Sequence, residues 1–206
     1  MKLSIFIFSI SLILVINPVF ATDPPPKGFK KAIKKHRKAY KKDFIVNNGP
    51  VKKEDLKYLD FYAPNSDFRV SATFKRTPDE KPFDIPTSST VKKKYVKYGE
   101  LSFELDGQQY QLNVYQGIKL RQMPQYRDYL FLPFKDPTNG KASYGGGRYL
   151  DLKTGDLKSG TAIIDFNKAY NPYCAFSDGY SCPIPPKENH LKVPIYAGEK
   201  KFGKGH

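Results

Sequence analysis

The chain has 206 residues, 39% of them hydrophobic, with 15 tyrosines, 15 phenylalanines and no tryptophan. That length and apolar content exclude global disorder and allow one domain with accessory segments. The formal charge of +15 implies attraction to polyanions, but lysine supplies most of it and no segment has the pattern of a base-edge reader. Nucleic acid is therefore disfavoured as a partner, and solvated lysine faces account for the charge.

Met1 to Ala21 reads as a secretory signal peptide, with Lys2 at the start, an apolar run from Ile5 to Val15, and Val19-Phe-Ala21 as the cleavage site. The run is short for a bilayer span and Asn17-Pro18 interrupts it, so export to the periplasm or beyond is expected rather than a retained anchor. Residues 22–45 comprise a proline-rich spacer and a basic amphipathic helix, Phe29 to Asp43. In that helix Phe29, Ile33, His36, Tyr40 and Phe44 recur at helical spacing. The 28–43 segment either caps the domain with its lysines in water or makes peripheral contact with an acidic surface.

Residues 46–200 are expected to form a single β-rich domain, with a solvated tail at 201–206. Lys52 to Leu59 suggests one or two helical turns. Strands are expected over Phe68–Phe74, Lys81–Ile85, Val91–Tyr98, Leu101–Leu105, Tyr110–Tyr115 and Tyr129–Phe134, with a turn at Gly99-Glu100 and a hairpin at Asp106-Gly107. Further strands follow Gly147, cover Thr161–Phe166, and end at an edge over Leu191–Tyr196, where Pro194 limits pairing. The fold class is mainly β: an antiparallel sandwich or open barrel-like domain of about seven to nine strands with an N-terminal amphipathic helix.

Glycine, aromatic, amide and carboxylate residues crowd between Thr138 and Glu199. Gly145-Gly-Gly147 before Arg148 is either an anion cradle with a guanidinium clamp or a bulge whose Arg148 pairs with Asp151 or Asp165. Tyr144, Arg148, Tyr149, Asp165, Asn167, Tyr170, Asn171 and Glu199 form the candidate ligand-binding set. Asp165 and Glu199 read either as a carboxylate pair for acid–base work or as partners of neighbouring cations. Cys174 and Cys182 are the chain's two cysteines, and in an exported protein a disulfide between them is expected. His190 is the one local base for a cysteine nucleophile, and the thiols lack a second ligand pair, so no metal or cofactor is implied.

Together, Pro133-Phe134, Asp136, Thr138-Asn-Gly140, Tyr144-Gly-Gly-Gly-Arg-Tyr-Leu150, Asp165-Phe-Asn-Lys-Ala-Tyr-Asn-Pro172, Cys174, Cys182-Pro-Ile-Pro-Pro186, Glu188-Asn189, Leu191 and Ala197-Gly-Glu199 resemble the domain-of-unknown-function family numbered 1684. Weaker upstream matches, Phe68-Arg-Val70 and Gly99 to Leu105, extend the likeness over most of the mature chain. The resemblance implies one bacterial domain and supplies no reaction. The leading functional expectation is an exported module that binds a small molecule or a cell-envelope component. The alternatives are a hydrolase-type enzyme using the Asp/Glu/Arg cluster and a structural or polyanion-binding envelope protein.

Overall fold

Asp106 and Gly107 adopt positive φ, 53° and 70°, the backbone of a primed two-residue turn. They join the two longest strands, β3 (Lys92–Leu105) and β4 (Gln108–Gly117). The computed structural model describes residues 25–157 and 159–204; the segment 1–21, expected to be a signal peptide, lies outside the described residues. Around the hairpin stand β1 (Arg69–Arg76), β2 (Phe83–Pro86), β5 (Tyr129–Phe134), β6 (Arg148–Lys153) and β7 (Thr161–Asp165). All pairings are antiparallel, in the order β6-β5-β4-β3-β1-β7, with β2 beside the N-terminal half of β3.

The sheet curls into a half barrel. Its edge strands β6 and β7 approach each other, and the chain leaving β7 closes one end by a reciprocal backbone pair between Tyr149 and Tyr170, 2.9 and 3.0 Å. Period-two alternation decides what lies inside. Leu101, Phe103, Leu112, Val114, Leu130, Leu132, Phe134, Leu150 and Ile164 fill the interior. The opposite face carries a separate aromatic cluster of Tyr95, Tyr115, Phe131 and Tyr149 with Ile85.

Two expected elements differ. Gly99 is no turn: β3 runs through it with a register shift between Lys97 and Gly99. A Cβ there would lie 2.4 Å from the Phe74 ring and 2.5 Å from the Lys75 carbonyl, so the glycine allows a bulge pressed against β1. Leu191–Tyr196 is not a strand and bends at Lys192 and Val193. Its backbone is bound by side chains instead: Asp136 Oδ1 accepts from the Ile195 N–H, and Arg148 donates to the Ile195 and Ala197 carbonyls.

Helix α1 (Phe29–Val46) runs one turn further than expected. Lysines occupy its first turn and no side chain caps its start, so its macrodipole is poorly served and tertiary anchoring must hold it. Phe44 enters a second core with Val51, Leu59, Ala175 and Phe176, flanked by Tyr40, Tyr144 and Phe202. The segment after Glu199 takes part, since Lys200, Lys201 and Gly203 donate backbone hydrogen bonds to Asp60, Ala142 and Tyr58; its backbone is tied to the domain while Lys201 and Gly203 stay exposed.

Gly198 sits at φ +78° with its Cβ direction 2.7 Å from both the Phe166 and Ala169 carbonyl oxygens. Gly198→Ala is expected to destabilise the domain by on the order of 2–3 kcal/mol, read from the denaturant midpoint at unchanged slope. An unaltered midpoint would show that the C-terminal segment yields freely.

Candidate functional site

The polar residues between Asp136 and Glu199 fall into four groups. In the first, strand parity places Arg148 on the same face as Leu150 and Leu152 and opposite Phe134, which drives a guanidinium into the interior at 0% exposure. It pairs with Asp136 at 2.7 Å, not with Asp151 or Asp165, and stacks 5.3 Å from the Phe134 ring centroid. Thr138 Oγ1 and the carbonyls of Ile195, Ala197 and Glu199 take its remaining hydrogen bonds. Gly147, at φ +95° and with no room for a Cβ beside the Phe134 carbonyl, turns the chain into this strand.

The second group is Asp165 and Asn167. Asp165 accepts from the Asn167 backbone and side chain, and Asn167 exchanges hydrogen bonds with the Asn65 backbone. The third is Glu199, whose Oε2 accepts from Tyr40 Oη at 2.9 Å and from the Asn171 N–H at 2.8 Å, while buried Oε1 has no partner among the described residues. Burial raises the Glu199 carboxyl to about 8, against the pull of those two donors. Asn171 also donates to the Lys200 carbonyl. These contacts close loops and dock α1; of the first three groups, Arg148 meets Glu199 only at its backbone carbonyl.

The fourth group stands on the outer aromatic face. Asp151 shares that face of β6 with Tyr149 and lies opposite Phe131 of β5. Its Oδ1 accepts from both Tyr129 Oη at 2.8 Å and Tyr170 Oη at 2.7 Å. Asp151 floors a cleft of about 470 Å³. One wall is the sheet, with Tyr95, Tyr129, Phe131 and Tyr149; the second is α1, with His36, Tyr40 and Asp43; the third is the loop of Tyr173 and Tyr180 to Pro183. The Cys174–Cys182 disulfide pins this loop, and Tyr149 Oη donates to the Pro183 carbonyl beneath it. The rings meet edge to face, Phe131–Tyr149 at 4.7 Å and Tyr149–Tyr170 at 5.9 Å, a favourable quadrupole arrangement.

Electrostatics in the cleft follow from its walls. Burial raises the Asp151 carboxyl above its ordinary value, opposed by the two phenol donors. Burial likewise holds Tyr129 and Tyr170 well above the usual phenol range and lifts Tyr95 to about 12. His36 is lowered by burial and then by Lys168, and Lys93 by burial alone. A second hollow of about 390 Å³ lies across the β6–β7 seam, lined by Arg69, Asp156, Asp165 and Lys168, and meets the first at His36, Asp151 and Tyr170. Its lining already pairs acid with base, Lys168 standing 3.9 Å from Asp165, so the aromatic cleft is the better binding candidate.

Of the eight candidate residues, Tyr149 and Tyr170 line the aromatic cleft, and Asp165 lines the seam hollow. Tyr144 lies in the second core and donates to the Cys174 carbonyl. Asp151, Tyr129, Tyr95, Tyr40, Tyr173 and Tyr180 were not singled out from sequence as a site. A usable signal existed in Tyr149-Leu-Asp151, where alternation puts a carboxylate on an aromatic face.

A mainly β domain with an aromatic cleft on its outer face is thus the class defined by fold and site. The chain belongs to the family described as a protein of unknown function (DUF1684), whose model matches residues 54–200. The solution NMR structure of an uncharacterized protein of Haloarcula marismortui is similar, with 33% identity, a TM-score of 0.64, and coverage of 84% of this chain and 95% of that one. No curated protein matches the chain.

Glu199 makes a pH prediction. Its folded value of about 8 lies above the ordinary 4.5, so between these values the folded state holds more protons than the unfolded one. Stability is then fully present below pH 4.5 and is lost as pH rises toward 8. Glu199→Gln keeps an acceptor for Tyr40 and Asn171 and is expected to flatten that decline, worth on the order of 2–4 kcal/mol at pH 8. Denaturant midpoints at pH 5 and 8 measure it; parallel profiles for the two proteins would refute the assignment.

Proposed function

We propose that the protein is an exported binding module whose small-molecule or envelope-derived ligand sits in the aromatic cleft over Asp151. The observation that carries this reading is the concentration of seven of the chain's 15 tyrosines, Tyr40, Tyr95, Tyr129, Tyr149, Tyr170, Tyr173 and Tyr180, around one concavity. The volume is in the range of small-molecule sites, and a mostly apolar lining with few oriented polar groups is their usual chemistry. The walls come from three separate parts of the chain, each fixed by a disulfide, a buried hydrogen bond or aromatic packing. Such a site needs little ordering when a ligand enters. The disulfide accords with an oxidising compartment, and no helix among the described residues is long and apolar enough to cross a membrane.

Leu120 lines the cleft, and Leu120→Trp is expected to fill it. A small-molecule panel monitored by thermal shift should yield ligands that raise the melting temperature of the natural protein by several degrees, about what a ligand at 100 times its Kd gives. The same ligands should leave the filled variant unmoved. Equal shifts in both proteins would place binding elsewhere.

A second reading concerns α1. Lys30, Lys31, Lys34, Lys35, Lys38 and Lys42 are all exposed, and none forms an ion pair among the described residues. This comb suits peripheral contact with an acidic surface. Retention on anionic phospholipid vesicles should fall at least about tenfold when Lys30, Lys34 and Lys38 are replaced by Gln, and should vanish in 0.5 M salt, where the Debye length is about 4 Å. Salt-independent retention would exclude the contact.

A further inference from the structure

Asp151 combines features that constrain the ligand further. Both phenol donors converge on Oδ1, leaving Oδ2 without a hydrogen-bond partner among the described residues. Asp151 keeps more than a third of its surface accessible although aromatic walls surround it. In a chain with 35 lysines and arginines, no cation among the described residues stands within ion-pair distance of this carboxylate. A carboxylate partly withdrawn from water and given no counter-charge retains a desolvation cost that an arriving cation would offset.

The surroundings agree in sign. The charged lining consists of Asp43 and Asp151 against Lys93, with His36 biased toward its neutral form by burial and Lys168. The cleft is thus locally acidic within a strongly basic protein. Around Asp151 stand the rings of Tyr95, Tyr129, Phe131, Tyr149 and Tyr170, whose electron-rich faces attract cations. An anionic ligand would meet two carboxylates against one lysine. A neutral alcohol could donate to Oδ2 but would leave the charge uncompensated.

We propose, resting on the binding reading above, that the cleft takes an organic cation: its ammonium group lies against Asp151 Oδ2 and its apolar body packs among the tyrosines. Because the ligand's charge is the discriminating property, probes of equal shape and different charge test it directly.

The experiment is calorimetric titration of the purified protein with 2-phenylethylammonium and benzyltrimethylammonium, alongside neutral 2-phenylethanol. The cations should bind at least about tenfold more tightly than the alcohol, the ratio expected when about 1.4 kcal/mol of charge interaction is added. Asp151→Asn should abolish that preference, bringing the cations' affinity down to the alcohol's. Asp84→Asn, which removes an exposed carboxylate paired with Lys94 on the surface, should leave it intact. Should Asp151→Asn fail to fold, the natural protein still decides: tyrosine-ring NMR shifts on cation addition must concentrate in the cleft residues. Equal affinity for cation and alcohol, both lost in Leu120→Trp, would overturn the cation assignment and leave the binding cleft standing. Failure of the three probes to bind would overturn the cation assignment, with the cleft itself then judged by the wider panel. A cation preference that survives Asp151→Asn would overturn the role of Asp151.

Discussion

The buried pair of Arg148 and Asp136 is the interaction on which the C-terminal third depends. Two charges at 0% side-chain exposure are costly in a low-dielectric interior unless every donor and lone pair is used. Here the surplus donors and acceptors of the Nη1, Nη2 and carboxylate groups are spent on the backbone of Ile195, Ala197 and Glu199, while buried Arg148 Nε has no partner among the described residues. The pair thereby does what a neighbouring strand would do, for a segment in which Pro194 cannot donate to a ladder. Removing one partner would strand a buried charge, a loss on the order of 3–5 kcal/mol, and would release the segment that carries Glu199.

The same substitution of side chain for strand recurs at Asn189. Pro133 of β5 has no N–H to offer β4, and β4 pairs with β5 at a single register position, Tyr115 with Phe131. Buried Asn189 fills the parting: its Oδ1 accepts from the Asn113 N–H, and its Nδ2 donates to the Asn113 and Pro133 carbonyls. On the outer face of β5 and β6, α1 and the loop of Tyr173 to Pro183 take the place of a covering strand, and the cleft forms between them.

These devices explain what could be read in the sequence. The hairpin at Asp106-Gly107, the strand Tyr129–Phe134, the helix beginning at Phe29 and the Cys174–Cys182 bridge follow from local chemistry: turn propensity, alternation, helical spacing and cysteine number. The course of Leu191–Tyr196 depended on which distant side chains would meet its backbone, and no local pattern carries that information. Gly99 misled because a glycine needed for close approach to Phe74 looks, in sequence, like a glycine needed for a turn. The density of polar residues from Thr138 to Glu199 was legible; its separation into interior staples and an outer cleft required strand parity, which puts Arg148 inside and Asp151 outside although only two residues lie between them.

The staples and the cleft are nevertheless physically continuous. Tyr170 closes the half barrel through its backbone pair with Tyr149 and, through its hydroxyl, orients Asp151. Its ring lies 6.1 Å from that of Tyr40, whose hydroxyl is fixed by Glu199, and Glu199 in turn holds the Asn171 backbone. A path of direct contacts therefore runs from the segment anchored by Arg148, through Glu199, Tyr40 and Tyr170, to the cleft floor. Because Glu199 is buried, Tyr40 and Tyr170 are half-buried, and the hydrogen bonds joining them are made, the floor is positioned before a ligand arrives. Loosening Glu199 would free Tyr40, and with it the α1 wall, without touching any group proposed to meet the ligand. The interior network thus sets the width of the cleft, while Asp151 and the surrounding rings set its chemistry.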